Sequence, residues 1–206
     1  DPASAKRGEN IYLFIIKAIF NEQISGWNIE SKRLKRKGNY FFSIHNKMII
    51  GHLRCICILL ISYYLFGFIG IFFFLLLAFI GKSLLETINY IEHYGLVREK
   101  DMPVFNRHSW NSDHTFSSLL LFNLTRHSDH HRAPNLKFWE LNPNFKSAPT
   151  LPYGYLSMIY LLLFTPFLYH RIMAKKLIDW DLNYADEKEK ELASIQNTNS
   201  GISSLI

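Results

Sequence analysis

Residues 124–131 read LTRHSDHH, with three histidines and an aspartate inside five positions at the close of an apolar stretch, TFSSLLLFN. On a helix His127, His130 and His131 stand at i, i+3 and i+4, so their rings leave one face within about one turn. Three neutral imidazoles on one face can share a cation. A set of histidines without thiols points to a transition metal; oxygen-rich calcium or magnesium chemistry is excluded by donor type, and zinc held by three histidines and a water stays open. Cys55 and Cys57, two apart in an apolar run, have neither metal spacing nor a disulfide partner and read as small apolar residues. Asp129 is placed either to accept a proton-bearing ring nitrogen, the usual outer-sphere arrangement, or to face water. Glu92, His108 in the loop RHSWNSDH, and His114 are the other candidates for outer positions. The spacing predicts one helix from near Ser112 or Asp113 to Ala133, ahead of Pro134, with His131, His127, Asn123, Leu120 and Phe116 on one stripe. On it His114 would lie about 20 Å from His127, too far to share an ion.

The elements that must hold this cluster are apolar and helical. Of the 206 residues 49% are hydrophobic and 16% aromatic, and 23 Lys and Arg stand against 17 acidic residues. Ile49 to Ile80 is almost free of polar residues and as one helix would be roughly 48 Å long, against a hydrocarbon core of about 30 Å. GFIG, Gly67 to Gly70, is the natural reversal, which predicts a transmembrane hairpin of Met48–Phe66 and Ile69–Ile91. Ile80 to His93 adds about 20 Å of helix, projecting His93 beyond the lipid. The basic run SKRLKRKG, residues 31–38, places both hairpin ends on the cytoplasmic side; no nucleic-acid motif accompanies it. The expected class is therefore an all-α integral membrane protein. Its expected parts are a cytoplasmic helical segment (1–47), the hairpin (48–91), a cytoplasmic histidine-rich helical cap (92–184) and a flexible, charged tail (185–206). Within the cap, Tyr155 to Tyr169 is too short to span and contains Pro166, favouring an interfacial or buried helix. DPAS ahead of IYLFIIKAIF reads as a capped helix entered from an upstream chain, which suggests a C-terminal fragment of a larger multi-span bundle.

NYIEHYGL (89–96) and LTRHSDHH resemble, in order, two signature motifs of the membrane-bound alkane hydroxylases, the alkane monooxygenases of the integral-membrane non-haem di-iron class. The likeness runs from DPAS through HSWNS, the histidine helix and LPYGY to the IDW at residue 180. It implies terminal hydroxylation of n-alkanes to 1-alkanols with O₂ at two non-haem irons. It further implies electrons from rubredoxin and its NADH-dependent reductase, a lipid environment, and a multi-pass place in the bacterial inner membrane with the histidines cytoplasmic. By this resemblance His93, His127, His130 and His131 are the iron ligands. The sequence departs from the pattern in lacking boxes of the forms HELxHK and EHxxGHH, since His45 and His52 are isolated, and in carrying Thr125 for a common Gln and Lys137-Phe138 for Arg-Tyr. The missing boxes supply most ligands in that family, which predicts an inactive isolated chain. Histidine boxes at a membrane surface are shared, so a fatty-acid desaturase or alkyl-aromatic hydroxylase is the alternative. A non-catalytic metal-binding membrane protein is a third reading.

Overall fold

The computed structural model describes residues 4–142 and 147–205. The elements are α1 (Ile11–Arg36), α2 (Lys47–His93), a 3₁₀ turn (Asn106–His108), α3 (Thr115–Leu120), α4 (His127–Arg132), α5 (Tyr155–Phe164), α6 (Pro166–Asn183), α7 (Glu187–Asn199) and a last 3₁₀ turn (Ser203–Leu205). Extended pairing among the described residues is limited to a bridge between Asn111 and Thr150. The chain divides into two compact units, Ile15–Glu86 and a second made of Ala3–Phe14 with Thr87–Ile206.

In the first unit α2 is long and apolar enough to cross a membrane. It is two helical arms joined at Gly67, whose φ of 62° and ψ of −150° only glycine adopts freely. A Cβ on Gly70 would lie 2.3 Å from the Ser62 carbonyl oxygen, eight residues back, a closeness that a continuous helix does not allow. Met48 approaches Gly26, and Lys82 pairs with Glu22 at 2.5 Å, so both arms return to one stretch of α1. The arms present their apolar side chains outward, Tyr64 at 88% and Phe68 at 78% exposure. α1 ends where Gly38, at φ 67°, takes the left-handed turn and Asn39 N–H bonds the Leu34 carbonyl. Glu30 then opens α2: it accepts two bonds from Arg33 and one from the Lys47 N–H. The Arg33 hydrogen bond is the main reason its carboxyl is held down to about 2.

The second unit is built on buried aromatic residues, Tyr90, Tyr94, Trp110, Tyr155, Tyr169 and Trp180. α5 stops at Thr165 because Pro166 has no N–H to continue it, and Pro166 instead serves as the first residue of α6, which packs back on α5. Two expectations are corrected. The single helix from 112 to 133 is broken: Phe122 and Asn123 take positive φ (49° and 58°), fixed where Asn123 Nδ2 donates to the Phe138 carbonyl and Ser118 bonds Thr125. The tail is not irregular, since Glu187–Asn199 is helical. Asp186 and Glu189 form a capping box that starts α7, and Arg107 and His108 grip Glu189. The cap expected from DPAS falls partly outside the described residues; Asn10 Oδ1 accepts from Tyr12 and Leu13 N–H and opens α1.

Candidate metal centre

NYIEHYGL is the end of α2 folded into the second unit. Tyr90 and Tyr94 stack at 5.1 Å, and the Tyr90 hydroxyl donates to the Glu9 carbonyl at 2.5 Å while lying 3.0 Å from His170 Nε2. Gly95 stops the helix at φ 68°, and a Cβ there would lie 2.8 Å from Leu177. Its N–H bonds the Ala5 carbonyl and its own carbonyl accepts from Arg7. These contacts fix the last turn of α2 and with it His93. His93 Nδ1 lies 3.2 Å from the His108 carbonyl, and because a carbonyl only accepts, the proton sits on Nδ1 and Nε2 keeps its lone pair.

α4 brings its rings to that lone pair. Asn111 holds the helix start, its Oδ1 accepting from Ser128 N–H at 2.9 Å and its Nδ2 donating to Ser128 Oγ at 2.7 Å. His127 Nε2 lies 3.1 Å from His93 Nε2, His131 Nε2 lies 2.9 Å from His127 Nε2, and His131 Nε2 lies 3.4 Å from His93 Nε2. Metal–nitrogen bonds of about 2.1 Å put neighbouring donors about 3.0 Å apart at right angles and about 3.4 Å apart in a tetrahedron, so the spacing fits one ion. Burial, then the neighbouring rings, push the His127 pKa well below the usual range, and burial is likewise the main cause that brings His131 to about 4. Both are therefore neutral at pH 7, the form that binds metal. His127 Nδ1 is buried with no hydrogen-bond partner among the described residues.

The other sequence candidates are placed differently. His130 is exposed, its ring 5.9 Å from that of His127, and it is outside the convergent group. Glu92 is buried beside the trio, Oε2 3.3 Å from His127 Nε2 and Oε1 accepting from the Tyr155 hydroxyl at 3.2 Å. Asp129 neither touches a ring nor faces water; it is buried, pairs with Arg132 and accepts from Asn142 N–H. His108 contributes its carbonyl, its ring being bonded to Glu189 at 2.7 Å. His114 caps α3 and lies against Gly154, away from the trio even though the helix between them breaks. Tyr155 and Asn111 were not singled out in the sequence; LPYGY and HSWNS contain them, but their contacts join residues 17 to 63 apart. His93 and His131 also line a cavity of about 530 Å³ whose apolar walls include Leu96, Val104, Leu192 and Ile195.

Residues 1–162 match the fatty acid desaturase family. The chain belongs to that family. Within it, the chain is 37% identical over 182 residues to alkane 1-monooxygenase 1 of Pseudomonas aeruginosa, covering 86% of this chain and 47% of that protein. It is 38% identical over 213 residues to the alkane 1-monooxygenase of Acinetobacter baylyi, covering 95% and 49%. It is also 35% identical over 204 residues to the xylene/toluene monooxygenase hydroxylase component of Pseudomonas putida, covering 98% and 54%. The chain thus spans about half the length of the curated relatives it matches. The family is in general one of non-haem di-iron enzymes.

Proposed function

We propose that this chain forms the C-terminal part of a membrane alkane 1-monooxygenase that converts n-alkanes to 1-alkanols. The observation that carries the reading is the convergence of three neutral Nε2 atoms from NYIEHYGL and LTRHSDHH, together with likeness to proteins of that name. His93, His127 and His131 would hold one iron and His130 would turn toward a second. When bound, the iron pair supplies the oxidising power that an unactivated C–H bond demands, since acid–base groups find no polar handle on an alkane.

The chain's own residues prepare that chemistry. The His108 carbonyl fixes the His93 tautomer, Glu92 and Tyr155 close the side beyond His127, and Asn111 sets the pitch of α4. The exposed apolar arms of α2 fit a bilayer, from which a hydrocarbon enters without crossing water. Further parts of the reading are a cytoplasmic position for the cap, reduction by a rubredoxin with its NADH-dependent reductase, and ligands for the second iron from outside this chain. A second reading, hydroxylation of an alkyl-aromatic methyl group, is favoured by the match across 98% of the chain to the xylene/toluene enzyme.

The test is metal binding by the chain in nanodiscs, titrated with Fe(II) or Co(II) under anaerobic conditions. One ion per chain, lost in His127→Ala, supports the reading; equal binding by the variant overturns it. Joined to the upstream half of a relative, the chain should oxidise octane in preference to p-xylene, and the reverse order selects the second reading.

A further inference from the structure

The corner between α1 and α2 carries a feature that the metal centre does not use. Five basic residues fall in the last turns of α1 and just after it, Lys32, Arg33, Lys35, Arg36 and Lys37. Arg33 is taken by Glu30 and the His45 carbonyl. Lys32, Lys35 and Arg36 are exposed, and they alone line a groove of about 540 Å³. No ion pair engages these three among the described residues.

The adjoining loop is fixed and turned outward. Phe41 stacks on Trp27 at 5.6 Å, and Trp27 in turn on His52. Asn46 Nδ2 donates to the Phe41 carbonyl and Ser43 Oγ to the Tyr40 carbonyl. The residues between these anchors, Tyr40, Phe42 and Ile44, point away at 86%, 86% and 82% exposure. An ordered loop that spends its hydrogen bonds to expose three apolar side chains beside three free cations has a surface with two chemistries, anionic and hydrocarbon. Three residues after Ile44 the chain enters α2, at Lys47. A phospholipid with an anionic headgroup offers both chemistries at that depth, phosphate for the cations and acyl chain for the aromatics. Inorganic phosphate or a nucleic acid would leave Tyr40, Phe42 and Ile44 in water.

We propose that Lys32, Lys35 and Arg36, with Tyr40, Phe42 and Ile44, form a binding site for an anionic phospholipid at the membrane surface. The site rests on the membrane reading of α2 and not on the metal reading. It is tested on the full chain. Detergent-solubilised chain offered phosphatidylglycerol and phosphatidylcholine together is assayed by native mass spectrometry. Each removed cation should lower phosphatidylglycerol retention about fivefold, so Lys32→Gln/Lys35→Gln/Arg36→Gln together should lower it on the order of a hundredfold. Lys32→Arg/Lys35→Arg should retain it, which separates charge from misfolding.

For depth, a bimane on Phe42→Cys, with Cys55→Ala and Cys57→Ala, should be quenched by brominated acyl chains in nanodiscs. Equal retention of the two lipids by the wild-type chain, full displacement by millimolar inorganic phosphate, tighter binding of a duplex oligonucleotide, or an unquenched probe would each overturn the proposal. A chain that fails to enter nanodiscs overturns the membrane reading and this site with it; entry without headgroup preference overturns the site alone.

Discussion

Burial gives His127 and His131 the protonation state that a metal ligand needs, at the expense of fold stability in acid. Both have folded pKa values below the usual 6.5, His131 at about 4, and burial also lowers His108 despite the opposing Glu189. Above pH 6.5 folded and unfolded chains are equally neutral at these sites and nothing changes with pH. Below it the unfolded chain takes up protons that the folded one refuses, so stability falls with pH until the folded pKa is reached. The metal-free chain should therefore lose thermal stability between pH 6.5 and about 4 in near-ultraviolet circular dichroism, and His131→Gln should flatten that loss. Among single substitutions, alanine at His93, His127 or His131 should weaken Co(II) binding by tenfold or more, His130→Ala less, and His45→Ala not at all. Tyr155→Phe, which removes the donor to Glu92, should weaken it a few-fold without loss of helicity. Three of the four histidines that the sequence put forward as ligands lie together: i, i+4 spacing holds His127 and His131 on one side even in the six-residue α4, and His93 entered the set only through its motif. His130 was not separable from them in the sequence: i+3 and i+4 differ by 100° of helix rotation, and only packing shows which side faces His93.

The elements divide by the range of the contacts that make them. α2 and its break at Gly67 were legible because apolar length and glycine act locally. The interruption between α3 and α4 was not, since the left-handed Phe122 and Asn123 depend on the Phe138 carbonyl, fifteen residues on. Nor was α7: DEKEKE reads as a solvated run until Arg107, 82 residues away, is seen to hold Glu189. Burial would raise the Glu189 pKa, but Arg107, the Asp186 backbone and His108 bring it below the usual value. Its carboxylate thus adds stability above about pH 4.5 that disappears as pH falls through the lower folded value. Glu189→Gln should leave α1 and α2 intact while raising amide hydrogen exchange across residues 187–199, and Asp186→Ala should cost about 1 kcal/mol through the lost cap. Gly67→Ala should destabilise the reversal by about 1–2 kcal/mol, because nothing else relieves an alanine at φ 62°.

For the whole molecule, a di-iron centre of the kind proposed would need more nitrogens than the trio and His130 supply. The chain alone in nanodiscs should hold less than one iron per polypeptide under aerobic turnover and produce no octanol with a rubredoxin system; two tightly bound irons with octanol formation would refute this. Topology is checked by Glu187→Cys in a chain with Cys55→Ala and Cys57→Ala, expected to react only with reagent from the cytoplasmic side. The all-helical class and the family were legible in composition and two motifs, while the division at Thr87 was not, because the end of α2 packs with residues as distant as His170 and Leu177. One consequence concerns biosynthesis. Arg7, near the start, is bound by Gly95, Asp181, Gln196 and Asn197. A nascent chain therefore carries this guanidinium without its carboxylate partner Asp181 through the making of both histidine motifs, and the ribosome must reach Asn197 before all of its contacts can form. The contacts that tie down the segment ahead of α1 are thus completed only after both histidine motifs have been made.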